Sequence, residues 1–480
     1  MKNNRRDFLK LSGLAAVSLA GINITGCKNE TQKEANKENT GPFKQTHKQK
    51  HNMAGYAAPK LEKVRVGVIG IGARGMQPLR SLQLIEGVEI KAICDIIPDR
   101  IEKGLESFVN ADYKPDTYSN KDDWKKVCER NDIDVIWITT PWNLHVPMAV
   151  YAMEHGKHAM IEVPAAQTVD ECWQLVETSE NTKQHCMMLS NTCYDFFELL
   201  TLNMARQGFF GDIVHGDGAY IHAFTSQSDD YSETAMNKSR TWRQFENTHR
   251  NGNLYPTHGL GPICQIMDIN YGDRMEFMVS VSSNDFQMKN HFNKLAEHDE
   301  FWEPFAKNAK TSHRGNMNTS TIRTNKGRTI MIQHDITSPN VYSRIHKISG
   351  TKAAALKYPL PPKISVGHEW LTPEEYELIE KKYTPKIVEK VGEMAQKVGG
   401  HGGSDFMLAW RLIDCLRNGL PLDMTVYDAA AWSVIGPLSE WSVANRSTAV
   451  DIPDFTSGSW KTNKPQMDIS LLAGGNTKMI

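Results

Sequence analysis

Arg243, His249, Arg250, Tyr255 and His258 fall within about 20 residues of one another, in the stretch TWRQFENTHRNGNLYPTHGLGP. A histidine in a polar, glycine-rich loop of this kind can give or take a proton near neutral pH, and His258 is the candidate for that role. No HExxH and no carboxylate cluster accompanies it, so no metal is expected. A second chemical signal lies earlier, in HAMIEVPAAQ at residues 158–167. An apolar run ends there in Glu162 and Val163, and no lysine follows the carboxylate.

These residues need elements to hold them. Val64–Ile69 is a β-branched run followed by Gly70-Ile71-Gly72-Ala73-Arg74-Gly75, a GxGxxG. A helical stretch and a second β-run, Val88–Cys94, come next, and Asp95 stands 20 residues beyond Gly75. In that setting Gly70, Gly72 and Gly75 let the backbone approach a pyrophosphate. Asp95 would accept from the ribose hydroxyls, which favours NAD over a 2′-phosphorylated cofactor. Further strands are expected at 134–140, 158–163 and 185–190, with helices between, so the first part reads as a doubly wound parallel sheet. Ligands sit at the carboxyl ends of such strands, which gathers Trp142, Asn143, Leu144, His145, Glu162, Val163 and Asn191 around one crevice.

After residue 195 the pattern changes. A helical stretch leads into an alternating run at 211–224, and β-runs follow at 275–282, 319–324, 328–334 and 342–349. Strands without intervening helices predict a largely antiparallel open sheet, hence an α+β second domain. Helices near 404–419 and 425–444 should pack on that sheet or bridge back to the first domain. The expected divisions are 1–27, 28–60, 61–193 (NAD-binding) and 194–480 (substrate-binding).

The 480 residues are 40% hydrophobic and 23% charged, ordinary for a globular protein with room for two domains. A net charge of −1 gives no nucleic-acid footprint. The first segment is different. Arg5 and Arg6 precede an apolar small-residue run that ends in Ile-Thr-Gly-Cys27. That order reads as a twin-arginine export signal with a lipobox, making Cys27 the lipidated residue of a membrane-anchored lipoprotein, on the periplasmic or surface side. Residues 28–60 are polar and read as a disordered tether. The seven other cysteines are scattered without CxxC spacing, which argues against a disulfide framework. Reduced thiols beyond the inner membrane suit a chain that folds around a cofactor before export.

The Rossmann half, TTPWNLHVPMAVYAMEHGKHAMIEVP and the antiparallel second part together resemble the glucose–fructose oxidoreductase-like superfamily. Its usual members carry a catalytic lysine after the glutamate, and an acid four residues before a histidine. Here Val163 and Leu254 stand at those positions. With IGARGM, PWNLH, HGDGAYIH, NLYPTHGLGP and HGGSDF, these departures resemble glycoside hydrolase family 109, the NAD-dependent α-N-acetylgalactosaminidases. The resemblance implies cofactor contacts at Ala73, Arg74, Asp95, Trp142 to His145, Glu162, Val163 and Asn191. It implies substrate contacts at Tyr220, Arg243, Tyr255, Pro256, Thr257, His258 and Tyr342, with His258 and Tyr342 moving protons. The implied chemistry is glycoside hydrolysis by transient C3 oxidation, C1–C2 elimination, water addition and re-reduction, with tightly held NAD recycled each turnover. A glycan is the expected partner, and homo-oligomerisation is left open. Two other readings stand beside it: an NAD-dependent sugar dehydrogenase, and a non-catalytic sugar-binding lipoprotein.

Overall fold

Five short apolar runs and one polar edge strand align in parallel: β1 (Val64–Ile69), β2 (Val88–Cys94), the edge strand β3 (Asp116–Tyr118), β4 (Val135–Ile138), β5 (His158–Ile161) and β6 (Cys186–Met188). Their order is β3-β2-β1-β4-β5-β6, so the connection reverses direction between β1 and β4. The ligand crevice of such a sheet opens there. β4 and β5 are buried along their whole length, as expected of strands covered by helices on both faces. The helix Val169–Thr182 starts on a capping box in which Thr168 and Glu171 each accept from the other's backbone N–H. The computed structural model describes residues 43, 47–110, 113–223, 241–307 and 313–480. Arg5, Arg6 and Cys27 lie outside the described residues, and with them the expected signal and lipid anchor.

The second sheet has nine strands: β7 (Ile213–Ile221), β8 (Met275–Ser282), β9 (Asn318–Thr324), β10 (Thr329–Asp335), β11 (Lys347–Gly350), β12 (Ala353–Leu356), β13 (Lys363–Val366), β14 (Glu369–Trp370) and β15 (Val450–Asp451). They run in the order β14-β13-β12-β11-β7-β10-β9-β8-β15. Only the central β7–β10 pair is parallel, so the expected largely antiparallel sheet is observed.

The structure corrects three expectations. The stretch around His258 is no loop but two helices, Thr241–His249 and Thr257–Ile266. Glycines and Pro262 hide the second helix from propensity, yet the glycines have a packing cause. A Cβ on Gly259 would lie 2.4 Å from the Ala219 nitrogen, and one on Gly218 would lie 2.4 Å from the Gly259 oxygen. The helix therefore rests backbone on backbone against β7, which only glycine at the contact permits. Second, residues 342–346 form no strand; pairing resumes at Lys347 after a single bridge between Ile221 and Ser343. Ile345 there has φ +59°, a left-handed conformation that breaks a ladder.

Of the two courses open to the C-terminal helices, they take the one that bridges back to the first sheet. Helix Ser404–Asn418 is buried on all sides from Ser404 to Leu416 and packs on helix Met76–Leu82 and on β1. Helix Val426–Ser433 likewise packs on Val169–Thr182 and β6. The buried residues of helix Ser404–Asn418 include Asp405, Arg411 and Asp414, so the enclosure is made with paired charges; Arg411 donates to Asp414 at 3.0 Å. Third, the expected tether ends early. Met53 and Ala58 are buried, and Glu180 accepts from the Lys50 N–H at 2.8 Å with the His47 ring 3.2 Å away. The seven described cysteines are all unpaired and buried.

Candidate active site

The glycines of the loop after β1 have separable tasks. Gly70 takes φ +89°, and a Cβ there would lie 2.9 Å from the Thr139 backbone. A Cβ on Gly75 would lie 1.9 Å from the Gly70 oxygen. These two glycines are demanded by the loop's own packing. Gly72 is not: a Cβ there meets nothing nearer than the Arg100 guanidinium at 3.7 Å. The open space over Gly72, beside the exposed Ala73, is where a dinucleotide phosphate fits. Asp95 closes the loop from below, accepting from the Ile71 N–H at 2.7 Å and the Ile97 N–H at 3.0 Å.

Arg74 links this loop to the rest of the crevice. Its Nε donates to Glu162 Oε1 at 2.6 Å, and its Nη1 lies 2.9 Å from Asp405 Oδ2. Burial pushes the Glu162 carboxyl up against the pull of Arg74. Asp405 also accepts from Asn191 Nδ2 and pairs with His401 Nδ1, both at 2.8 Å. Burial alone would raise its carboxyl, but the His401 hydrogen bond and the Arg74 charge prevail and hold it at about 2. Asn191 Oδ1 is buried without a partner among the described residues, an acceptor left for a ligand. Asn143 and Leu144 are exposed at the rim. His145 departs from its expected place. Its ring nitrogens lie 2.8 Å from the Pro164 oxygen and 2.9 Å from the Thr140 oxygen, so it pins two loops together rather than meeting a cofactor.

The second half supplies an aromatic wall. Trp142, whose Nε1 donates to the Val163 oxygen at 3.2 Å, stacks on Tyr255 at 5.9 Å and meets Trp242 edge-on at 5.1 Å. The Arg243 guanidinium lies 3.9 Å from the Tyr255 ring centre, 5.3 Å from Tyr220 and 5.4 Å from Trp142. His258 touches Tyr255 at 4.8 Å and Tyr220 at 5.5 Å between ring centres, and Tyr342 meets Tyr220 at 6.3 Å and His222 at 5.1 Å. Thus Tyr220, Arg243, Tyr255, His258 and Tyr342 come together, against Trp142 of the first sheet. Pro256 and Thr257 are buried beneath them at the start of the helix.

Electrostatics give the two proton-transfer candidates opposite characters. Burial, then the positive charges of Arg344, His401, Arg74 and Arg243, drive the His258 imidazole well below its usual range, so it is neutral. Its Nδ1 is buried with no partner among the described residues. Burial raises the Tyr342 phenol despite the charge of Arg344, so it keeps its proton. The backbone beneath Tyr342 is fixed by an ion cluster that sequence reasoning missed. Arg344 donates to Asp195 at 2.6 Å, and Lys357 lies 2.5 Å from Asp195 and 2.7 Å from Glu198. His401, Asp405, Trp242 and His222 were missed as well. For Asp405 a signal existed, since HGGSDF sets a glycine run directly before a helix.

The model for "Oxidoreductase family, NAD-binding Rossmann fold" matches residues 64–190, and that for "Glycosyl hydrolase 109, C-terminal domain" matches residues 194–462. Glycosyl hydrolase family 109 protein 1 of Shewanella sp. (strain MR-4) is 43% identical over 96% of this chain and 98% of its own length. A Shewanella oneidensis protein named alpha-N-acetylgalactosaminidase is 42% identical over 96% of this chain and 98% of its own. Among solved structures, levoglucosan dehydrogenase in complex with NADH and L-sorbose superposes with TM-score 0.59 at 16% identity, covering 82% of this chain and 100% of that one. Scyllo-inositol dehydrogenase from Lactobacillus casei gives 0.57 at 11% identity, covering 82% and 99%. At such identities the structures speak for the fold alone. The sequence relatives span both halves and the site between them: the chain belongs to glycosyl hydrolase family 109, and is a glycoside hydrolase with an NAD-binding Rossmann domain.

Proposed function

We propose that the enzyme hydrolyses α-linked N-acetylgalactosamine, or a closely related sugar, with a tightly held NAD that each turnover restores. The observation that carries this is the pairing of a neutral His258 with a protonated Tyr342 across one aromatic pocket, where Glu162 is followed by no lysine. Gly72, Arg74, Asp95, Glu162 and Asn191 would hold the cofactor. Bound NAD supplies a reversible hydride acceptor for sugar C3, which acidifies the C2 hydrogen and permits loss of the C1 substituent. His258 can accept the C2 proton, because it is uncharged at working pH. Tyr342 can donate to the departing oxygen, because it still carries its proton. Arg243, stacked among Tyr220, Tyr255 and Trp142, holds hydroxyl or acetamido oxygens of the sugar. No carboxylate pair at fixed separation is required. The chain is exported folded through its twin-arginine segment and anchored at Cys27.

An aryl-glycoside panel run in deuterated water tests the reading. Release of the aryl alcohol from α-N-acetylgalactosaminides, with deuterium at C2 of the freed sugar and no build-up of reduced cofactor, is the expected result. Hydrolysis without deuterium at C2 removes the elimination step. Steady accumulation of reduced NAD would make the protein a dehydrogenase. No bound NAD and no turnover would leave a sugar-binding lipoprotein.

A further inference from the structure

Asp405 enters the cofactor crevice from the far end of the chain. Its carboxylate meets Arg74 Nη1 at 2.9 Å, Asn191 Nδ2 at 2.8 Å and His401 Nδ1 at 2.8 Å. Arg74 belongs to the glycine loop after β1, and Asn191 to the turn after β6. Arg74 also donates to Glu162 at the end of β5. One side chain of the C-terminal half thereby ties the ends of three strands of the nucleotide-binding sheet. The Asp405 side chain is only 4% exposed, so these contacts are made largely out of water, where charge-assisted bonds are strong.

The approach of Asp405 to the glycine loop is built at a conformational cost. Residues 399–403 all have positive φ, at 80°, 78°, 47°, 71° and 104°, and four of the five are glycine. His401 is the exception, held in a left-handed conformation that its side chain disfavours. A Cβ on Gly400 would lie 2.3 Å from Gln77 Nε2 and 2.8 Å from Asp405 Oδ2, so the turn can lie this close to the helix after the glycine loop only as glycine. The Asn191 amide held by Asp405 is also the one whose Oδ1 is buried and unpartnered among the described residues.

We infer that Asp405 is a cofactor-positioning residue: by fixing Arg74 and Asn191 it holds both against NAD and keeps the dinucleotide from leaving between turnovers. This rests on the reading that NAD is retained and recycled. Asp405→Asn keeps the shape and removes the charge. Wild-type enzyme should survive dialysis with NAD bound stoichiometrically, whereas D405N should shed it, with dissociation faster by about tenfold or more. Added NAD should then return kcat close to the wild-type value. The readouts are cofactor released on denaturation and the dissociation rate followed by fluorescence, beside the assay.

D405N that retains NAD as the wild type does, or loses kcat that saturating NAD does not restore, overturns the inference. A purely structural role would lower the unfolding temperature and leave NAD dissociation from the folded protein unchanged. If D405N does not fold, His401→Gln removes one of the three partners, and unchanged NAD dissociation in that variant overturns the inference equally. Wild-type enzyme that sheds NAD on dialysis contradicts retention instead, while the affinity difference between wild type and D405N still decides the role of Asp405.

Discussion

Replacing Gly72 with alanine adds one methyl group to a place the structure defines closely. The new Cβ meets only the Arg100 guanidinium, at 3.7 Å, which is ordinary van der Waals contact. The fold should accept it, with a stability change within about 0.5 kcal/mol. At Gly75 the same methyl would lie 1.9 Å from the Gly70 oxygen, and the loop could not close. The two glycines of one motif therefore separate what the chain needs from what the cofactor needs. If the pyrophosphate passes over Gly72, the methyl occupies its space. Overpacking of that size costs about 1–3 kcal/mol, which is roughly a five- to 150-fold rise in Kd for NAD. Apoprotein prepared by mild denaturation and refolding, titrated with NAD by tryptophan fluorescence and melted without NAD, reads both quantities. G72A should melt with the wild type and bind NAD weakly. Wild-type affinity in G72A would mean that no phosphate crosses Gly72, and a collapse of apoprotein stability would mean that the space is not open.

With the His258 imidazole below its usual 6.5 and the Tyr342 phenol above its usual 10.0, kcat/KM should be flat between those values; a limb near pH 6.5 assigned to His258 by mutation would contradict this. Gly259→Ala puts a Cβ 2.4 Å from the Ala219 nitrogen, so the helix bearing His258 must retreat by about 1 Å. A misplacement of that size should lower kcat about a hundredfold while NAD stays bound, and an unchanged kcat would separate His258 from this contact. His158 is pushed down to about 4 by burial, against 6.5 unfolded, and its Nδ1 accepts from the His185 N–H at 3.2 Å. Between these values the unfolded chain binds the extra proton, so stability holds above pH 6.5 and falls toward pH 4, by about 3 kcal/mol from this group. Urea unfolding of His158→Asn, whose amide oxygen can still accept that N–H, should show a slope shallower by about one proton; the wild-type slope in H158N would refute the assignment.

The glycine loop, Asp95 and the strand ends were readable because local order dictates them: a strand, a turn and a helix in sequence can be built in few ways. Trp142 and Glu162 followed from the rule that parallel sheets present their carboxyl ends to ligands. The second half was less open to reading. Helix Thr257–Ile266 contradicts local propensity, since Gly259 and Gly261 weaken it, and its cause is a backbone contact with a strand about 40 residues earlier. The 342–346 segment alternates like a strand, but Ile345 at φ +59° breaks the ladder there, and Arg344 pairs with Asp195, 149 residues away. The glycine run of HGGSDF marked a special turn before Asp405, but its role lies in partners at Arg74 and Asn191 that no local pattern joins to it. His145 erred the other way: it stands at a strand end, where ligands bind, yet its nitrogens are used up inside the protein.

The packing of residues 47–60 sets a limit on how far the chain can be trimmed from its N-terminal side. Glu180, 1% exposed, draws its partners from that segment and from Tyr427: the Lys50 N–H at 2.8 Å, the His47 ring at 3.2 Å and the Tyr427 hydroxyl at 2.9 Å. A protease that trims the chain up to about residue 46 leaves this arrangement whole. One that cuts at residue 61, where the polar stretch ends, strips a buried carboxylate of two of its three partners and lifts Met53 out of the core. The enzyme's own N-terminal border is therefore written in Glu180, well inside the chain, and a recombinant form should be started ahead of His47.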